Sequence, residues 1–333
     1  MKKSLIALAV LAASGASFAQ SSVTLYGVAD FWVGSTSTTD AAGVKLSQTV
    51  QNGGGYNGNR WGLRGVEDLG GGLKAKFQFE SGFTIDDGNV ANGATMFGRQ
   101  AFAGVEGDFG SVTAGRQYTA YDSLRGATNH AFDAGVAVTG SVWGFGVADY
   151  TSRTNNTLRY DSPTVSGLSG SLSLGLGENK TATVNASSQT ALHVKFAQGP
   201  ILAGVGYQAE KVGTVTTKYT LVAGSYDLGV VKLNAGVNKA DNTVLKDSEV
   251  QLGVSAPINA NAQVAFGYAT AKSETAAGAD NGKRTGLVLT GYYDLSKRTR
   301  AYAATNSTTT KNAAGATTAK TATTLAVGVR HSF

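Results

Sequence analysis

In the stretch GLKAKFQFE, Leu73, Ala75, Phe77 and Phe79 alternate with Lys74, Lys76, Gln78 and Glu80. A period of two places every apolar group on one side of an extended strand and every charged or amide group on the other. The pattern recurs along the chain, as Leu172, Leu174 and Leu176 against Ser171 and Ser173, and as Leu233, Ala235 and Val237 against Lys232, Asn234 and Asn238. It closes the sequence as TTLAVGVRHSF, where Leu325, Val327, Val329 and Phe333 share one parity and Arg330 takes the other. These segments run nearer ten residues than the five or six usual in soluble sheets. Ten residues is the length of a strand that crosses a bilayer at a tilt.

Connections between the segments alternate in character. Short ones carry turn residues: 67–70, 108–110, Ser162-Pro163, Gly199-Pro200, 227–229, 257–259 and 294–296. Longer polar stretches lie near 35–57, 84–94, 118–150, 179–187, 211–217, 240–248, 273–283 and 307–320. Seven tight turns and eight long loops join sixteen strands. Unpaired backbone amides each cost several kcal/mol in hydrocarbon, so strands that span a membrane must close on themselves. The expected fold is therefore an all-β, sixteen-stranded antiparallel transmembrane barrel with short turns at one end and long loops at the other. An arginine facing lipid at mid-depth would cost roughly 2 to 4 kcal/mol, which assigns Arg330 to the lumen and Phe333 to an aromatic girdle.

The first residues fit an exported barrel. Lys2 and Lys3, the apolar run from Leu5 to Ala13 and Ser17-Phe18-Ala19 have the layout of a secretory signal peptide over residues 1–19, leaving a barrel domain over 20–333. Past residue 19 no run approaches the roughly 18 to 20 apolar residues of a spanning helix. Cysteine is absent although export permits disulfides, and 45 glycines against 3 prolines suit closely packed strands. The formal charge of +6 is too small to argue for nucleic acid. A secreted solenoid would share this composition but show one fixed repeat length, which the alternating connections do not.

Several segments together carry a family resemblance: SSVTLYGVAD, NRWGLRGVEDLGGGLKAKFQFE, GRQAFAGVEGDFGSVTAGRQY, YDLSKRTRAYAATN and VGVRHSF. In their order and spacing they resemble the trimeric general porins of Gram-negative outer membranes, in particular the β-proteobacterial branch, over the whole chain. The resemblance implies a homotrimer, a third extracellular loop folded into each barrel, and passive diffusion of small hydrophilic solutes without cofactor or catalysis. It also implies surrounding lipid and lipopolysaccharide, and delivery to the barrel-assembly machinery through the C-terminal strand ending at Phe333.

In such porins a basic wall faces acids on the infolded loop. By resemblance Arg60, Arg99 and Arg153 supply that wall, Arg116 is a fourth candidate, and Arg159 competes with Arg153 for one place. Parity agrees for Arg60: with Trp61 and Leu63 toward lipid, Arg60 and Arg64 face the pore, and Lys74 and Lys76 fall inward by the same rule. The third loop would be 118–150, whose acids are only Asp122, Asp133 and Asp149. Guanidinium groups around a low-dielectric waist concentrate anions, so small anionic or neutral solutes are the expected cargo. These arginines could instead pair with loop acids to pin the loop.

Sharper chemistry finds less support. The histidines, His130, His193 and His331, have no metal-ligand partners at suitable spacing. His193 near Ser187 and Ser188 would be the place to look for an outer-membrane barrel enzyme. Tyr26, Tyr118, Tyr121, Tyr292 and Tyr302 would serve a sugar- or organic-acid-specific porin as a stacking slide, or simply line the lumen and girdle.

Overall fold

The computed structural model describes residues 22–93, 95–128 and 139–333. Residues 1–19, the expected signal peptide, lie outside the described residues. Eighteen strand segments follow in chain order: β1 (Ser22–Thr39), β2 (Lys45–Gly53), β3 (Arg60–Gly70), β4 (Leu73–Phe83), β5 (Val90–Ala91), β6 (Gln100–Gly107), β7 (Gly110–Tyr118), β8 (Arg153–Asp161), β9 (Leu168–Leu176), β10 (Ser188–Gln198), β11 (Ile201–Val212), β12 (Val215–Asp227), β13 (Lys232–Asp241), β14 (Leu245–Asn259), β15 (Ala262–Thr275), β16 (Asp280–Asp294), β17 (Thr299–Lys311) and β18 (Thr317–Ser332). They occupy sixteen positions. β2 and β3 continue one another along β1, which pairs with β2 through Phe31–Thr39 and with β3 through Ser22–Val28. β5 and β6 likewise share the edge of β4. Every neighbour is antiparallel, and pairing of β1 with β18 closes the sheet.

Burial runs opposite to that of a soluble protein. Along β13, Leu233 and Val237 are about half exposed while Asn234 and Asn238 are 5% and 2% exposed. Val222, Leu252, Leu289 and Val327 repeat this around the wall, each at 50 to 52% exposure. Aliphatic groups thus face outward, where lipid replaces water, and the polar parity faces inward. Near the short-turn end Phe109, Tyr160, Tyr226, Tyr293 and Phe333 are exposed on the outside, an aromatic girdle at the membrane boundary. Phe333 joins the ladder through reciprocal backbone hydrogen bonds with Gly27, 3.1 and 3.0 Å long, and its ring fills the space that a Cβ at Gly27 would need.

The seven short connections fall at one end, though 67–70 belongs to β3 and 257–259 to β14, and their turns come just after, at 71–72 and 260–261. At the other end the expectation of eight long loops needs correction. The second, third and fourth connections are long, but 213–214, 242–244, 276–279 and 312–316 are tight hairpin turns, as is 40–44. The polar Thr-, Ser- and Lys-rich stretches there continue as paired strand beyond the apolar band. Above the membrane both faces of a strand meet water, so alternation vanishes while the backbone ladder persists.

The third connection at that end, between β7 and β8, runs into the barrel along its described residues 119–128 and 139–152. Its helix Ala120–Thr128 lays Tyr121 and Leu124 against the inner wall. Gly204 and Gly206 of β11 leave the room that Leu124 takes. The returning limb is caught by carboxylates on β14: Gly144 N–H donates to Glu249 at 2.7 Å, and the Gly146 and Val147 N–H groups donate to Asp247 at 2.7 and 3.0 Å. Trp143 and Val147 are buried beside them.

Candidate functional site: an inward arginine group

Glu80 on β4 is the centre of an inward group with Tyr26 on β1, Arg60 on β3 and Arg99 just before β6. It is 4% exposed; its Oε1 accepts from Arg99 Nε at 2.6 Å, and its Oε2 accepts from the Tyr26 hydroxyl at 2.9 Å and lies 3.8 Å from Arg60 Nε. Register explains the meeting, since Tyr26, Gly62, Glu80 and Gln100 stand directly opposite one another across four strands and share a face. Arg99 Nη2 continues to the Tyr118 hydroxyl at 3.1 Å. Arg153 donates to the same hydroxyl and stacks 4.0 Å over the ring. Arg60, Glu80, Arg99 and Tyr118 line one cavity of about 550 Å³.

The remaining basic candidates separate from this group. Arg159 forks onto Asp161 and donates to the Tyr118 carbonyl at 2.8 Å and the Ser123 hydroxyl at 3.0 Å, so it ties down the root of the infolded loop. Arg116 is held by the Gly98 carbonyl and Asn155 Oδ1, both at 2.7 Å. Its register partner is Ala101, on the face of Phe79 rather than that of Glu80. Opposite Arg116 the β8 strand carries a bulge at Asn155 and Asn156, the latter with φ of 50°. Arg153 lies beyond that bulge, where the ladder is re-aimed. Arg64 is exposed with its guanidinium 5.1 Å over Tyr26. Lys76 pairs with Glu106 at 3.2 Å, and Lys74 stands opposite Asp68 and Glu106.

The described loop acids, Asp122 and Asp149, form no ion pair with the group. Asp149 meets Arg125 Nη1 at 2.9 Å, and the Arg125 guanidinium is packed 4.8 Å from both the Trp143 and Tyr150 rings. Asp122 accepts from the Tyr150 hydroxyl at 2.6 Å. Burial pushes the Asp122 carboxyl above the usual carboxylate range, opposed by that hydrogen bond and by the charges of Arg153, Arg125 and Arg159. Asp133 and His130 lie outside the described residues. His193 is buried and its Nδ1–H donates to the Ala120 carbonyl at 2.6 Å, a further tie on the loop helix.

Around the wall from Arg60 lies a second inward cluster that motif reasoning did not assemble. Arg300 forks onto Asp294 and lies 3.4 Å from the Tyr292 ring centroid and 4.9 Å from that of Tyr56. Arg330 stands opposite both Arg300 and Asp30, inside as parity required. Asp30, fully buried, accepts from the Tyr302 hydroxyl at 2.6 Å and from the Tyr56 and Asn57 N–H groups, which bends the 54–59 connection inward. Glu80 was visible in the sequence as an inward position of GLKAKFQFE. Arg125 carried no such signal, because it sits on a helix whose placement only the loop decides.

A family model described as Gram-negative porin matches residues 5–313. The chain belongs to the Gram-negative porin family. Its relatives include outer membrane porin protein 32 of Delftia acidovorans, 34% identical, and an outer membrane porin of Bordetella pertussis, 31% identical, both covered over their full length and that of this chain. Among solved structures, the anion-selective porin from Comamonas acidovorans superimposes with a TM-score of 0.78 at 27% identity, over 94% of this porin and all of the other. An outer membrane protein of Vibrio cholerae, solved in a trimer form, shares the fold at a TM-score of 0.70 and 18% identity. This porin is thus a multi-pass β-barrel of the Gram-negative outer membrane that forms a channel for small solutes and ions.

Proposed function

We propose that this porin conducts anions in preference to cations through Arg60, Arg99 and Arg153. One observation carries the reading: Arg60 and Arg99 meet a single carboxylate, Glu80, Arg153 joins them through the Tyr118 hydroxyl that it shares with Arg99, and Asp122 and Asp149 of the loop are held by Tyr150 and Arg125. The wall therefore carries three positive charges against one carboxylate in ion-pair contact, and neither Asp122 nor Asp149 of the loop forms an ion pair with it. Arginine stays charged at any relevant pH and forks onto carboxylate or phosphate, so small anionic and neutral hydrophilic solutes are the cargo, moved without catalysis or cofactor. The similarity to an anion-selective porin supports the same direction.

The rest of the reading rests on family membership. Residues 1–19 are removed on export, the mature chains form a homotrimer, and the strand ending at Phe333 is read by the barrel-assembly machinery. Single channels in planar bilayers under a potassium chloride gradient test the selectivity. The wild type is expected to reverse on the chloride side, and Arg99→Glu to move the reversal potential toward potassium. A cation-selective wild type would refute the basic wall.

A further inference from the structure

The outward face of the barrel carries an unusual row just beyond the apolar band at the long-loop end. Lys239 of β13 stands opposite Ser248 of β14, Ser248 opposite Lys272 of β15, Lys272 opposite Lys283 of β16, and Lys283 opposite Lys311 of β17. Direct partners share a face, and this one is fixed by the same ladders lower down, where Val237, Val250, Leu252, Phe266, Tyr268, Leu287 and Leu289 point to lipid. All four lysines are exposed. Lys272 pairs with Glu274 at 2.9 Å. Among the described residues Lys239, Lys283 and Lys311 have no carboxylate within ion-pair distance.

Like charges directly opposite one another destabilise a sheet, and here three consecutive strands place lysines side by side. The neighbouring Lys218 and Lys246 differ, for both stand opposite Asp241. Height also distinguishes the row. Lys283 lies four residues beyond Leu287 on one strand, which at about 3.4 Å per residue and a tilt near 40° is roughly 10 Å along the membrane normal. Thr270, Thr285 and Thr309 fill the level between. Five strands spaced about 4.8 Å apart make the row about 19 Å wide. The aromatic patch of Trp61, Phe79 and Phe97 begins on β3, three strand positions from Lys311 and five from Lys272, so an assembly through that patch leaves the lysines facing lipid.

We propose that this row is a docking surface for the phosphate groups of lipopolysaccharide in the outer leaflet. The charge is complementary, the depth is that of the headgroups, and the unpaired lysines gain the counter-charges that their own sheet withholds. The proposal rests on the outer-membrane placement of the porin and not on its ion preference.

The test uses the full porin, freed of lipid in detergent and titrated with lipopolysaccharide or with the same lipid after enzymatic removal of its phosphates. The wild type is expected to bind the phosphorylated form at least tenfold more tightly. Combined Lys239→Ser, Lys283→Ser and Lys311→Ser should abolish that difference while leaving conductance and reversal potential unchanged, whereas arginine at the same three positions should keep it. Equal affinity of the wild type for both lipids, or a serine variant that still discriminates, would overturn the proposal. So would displacement by millimolar inorganic phosphate alone, since that would mark a site for the free ion. An altered conductance with retained lipid discrimination would count against it as well, because the row would then act on the lumen.

Discussion

Replacing Glu80 by glutamine changes one charge in the inward arginine group and keeps the shape. Glu80 Oε1 lies 2.6 Å from Arg99 Nε, and the amide oxygen of the Glu80→Gln variant would keep an acceptor there. With Arg60, Arg99 and Arg153 unchanged, the group goes from a net of two positive charges to three. An ion passing at about 5 Å in water of dielectric near 80 interacts with that unit charge by roughly 0.8 kcal/mol. Chloride gains this and potassium loses it, so their ratio shifts by about 1.6 kcal/mol before screening. At 0.1 M salt the Debye length of about 10 Å leaves some 60% of this, about 1 kcal/mol or a fivefold rise in the chloride-to-potassium ratio. At 1 M, where the length is about 3 Å, less than a twofold rise should remain. Reversal potentials of single Glu80→Gln channels, measured in gradients centred on each concentration, give both numbers. A ratio that stays constant at 0.1 M, or moves toward potassium, would show that Glu80 and its arginines do not set the field in the pore.

Two further perturbations read other parts of the architecture. The buried Asp122 carboxyl has a pKa raised above its unfolded value, so the folded state holds that proton more tightly. Its contribution to stability is complete below the unfolded pKa near 3.8 and is lost as pH rises through the folded value. Protease resistance of the infolded loop should therefore increase as pH falls through that window, and Asp122→Asn should flatten the dependence; an equally steep profile in the variant would exclude Asp122 as its source. Gly27→Val places carbon where the Phe333 ring and the Arg60 carbonyl already lie. Overpacking of this kind costs about 1 to 3 kcal/mol, and heat-modifiability gels should show the barrel unfolding several degrees lower, whereas an unshifted transition would mean that the Phe333 ring contributes nothing to closure.

The barrel was legible because its main constraint is local. In GLKAKFQFE and VVKLNAGVN each residue's parity alone separates lipid from lumen, and the inward positions of Arg60, Lys76, Glu80 and Arg330 follow from it. The same signal misled above the membrane, where 211–217 and 307–320 looked like loops because neither face of those strands is dry. It also failed at the bulge beside Arg116, where Asn155 and Asn156 together oppose one residue and counting by two no longer tracks the face.

The sequence by itself determined that this chain must close a sixteen-strand wall with an oily exterior and a charged interior, since alternation is a property of consecutive residues and the membrane enforces its consequences. Only the tertiary structure decided which charges stand free. Arg99 finds Glu80 19 residues away, Arg125 finds Asp149 24 residues away, and Arg159 spends itself on the loop root at Tyr118, 41 residues distant. The lysine row likewise joins residues from four separate strands. A charge acts through distance in space, and that distance is set by strand register and by the path of the infolded loop, neither of which is written in any one segment.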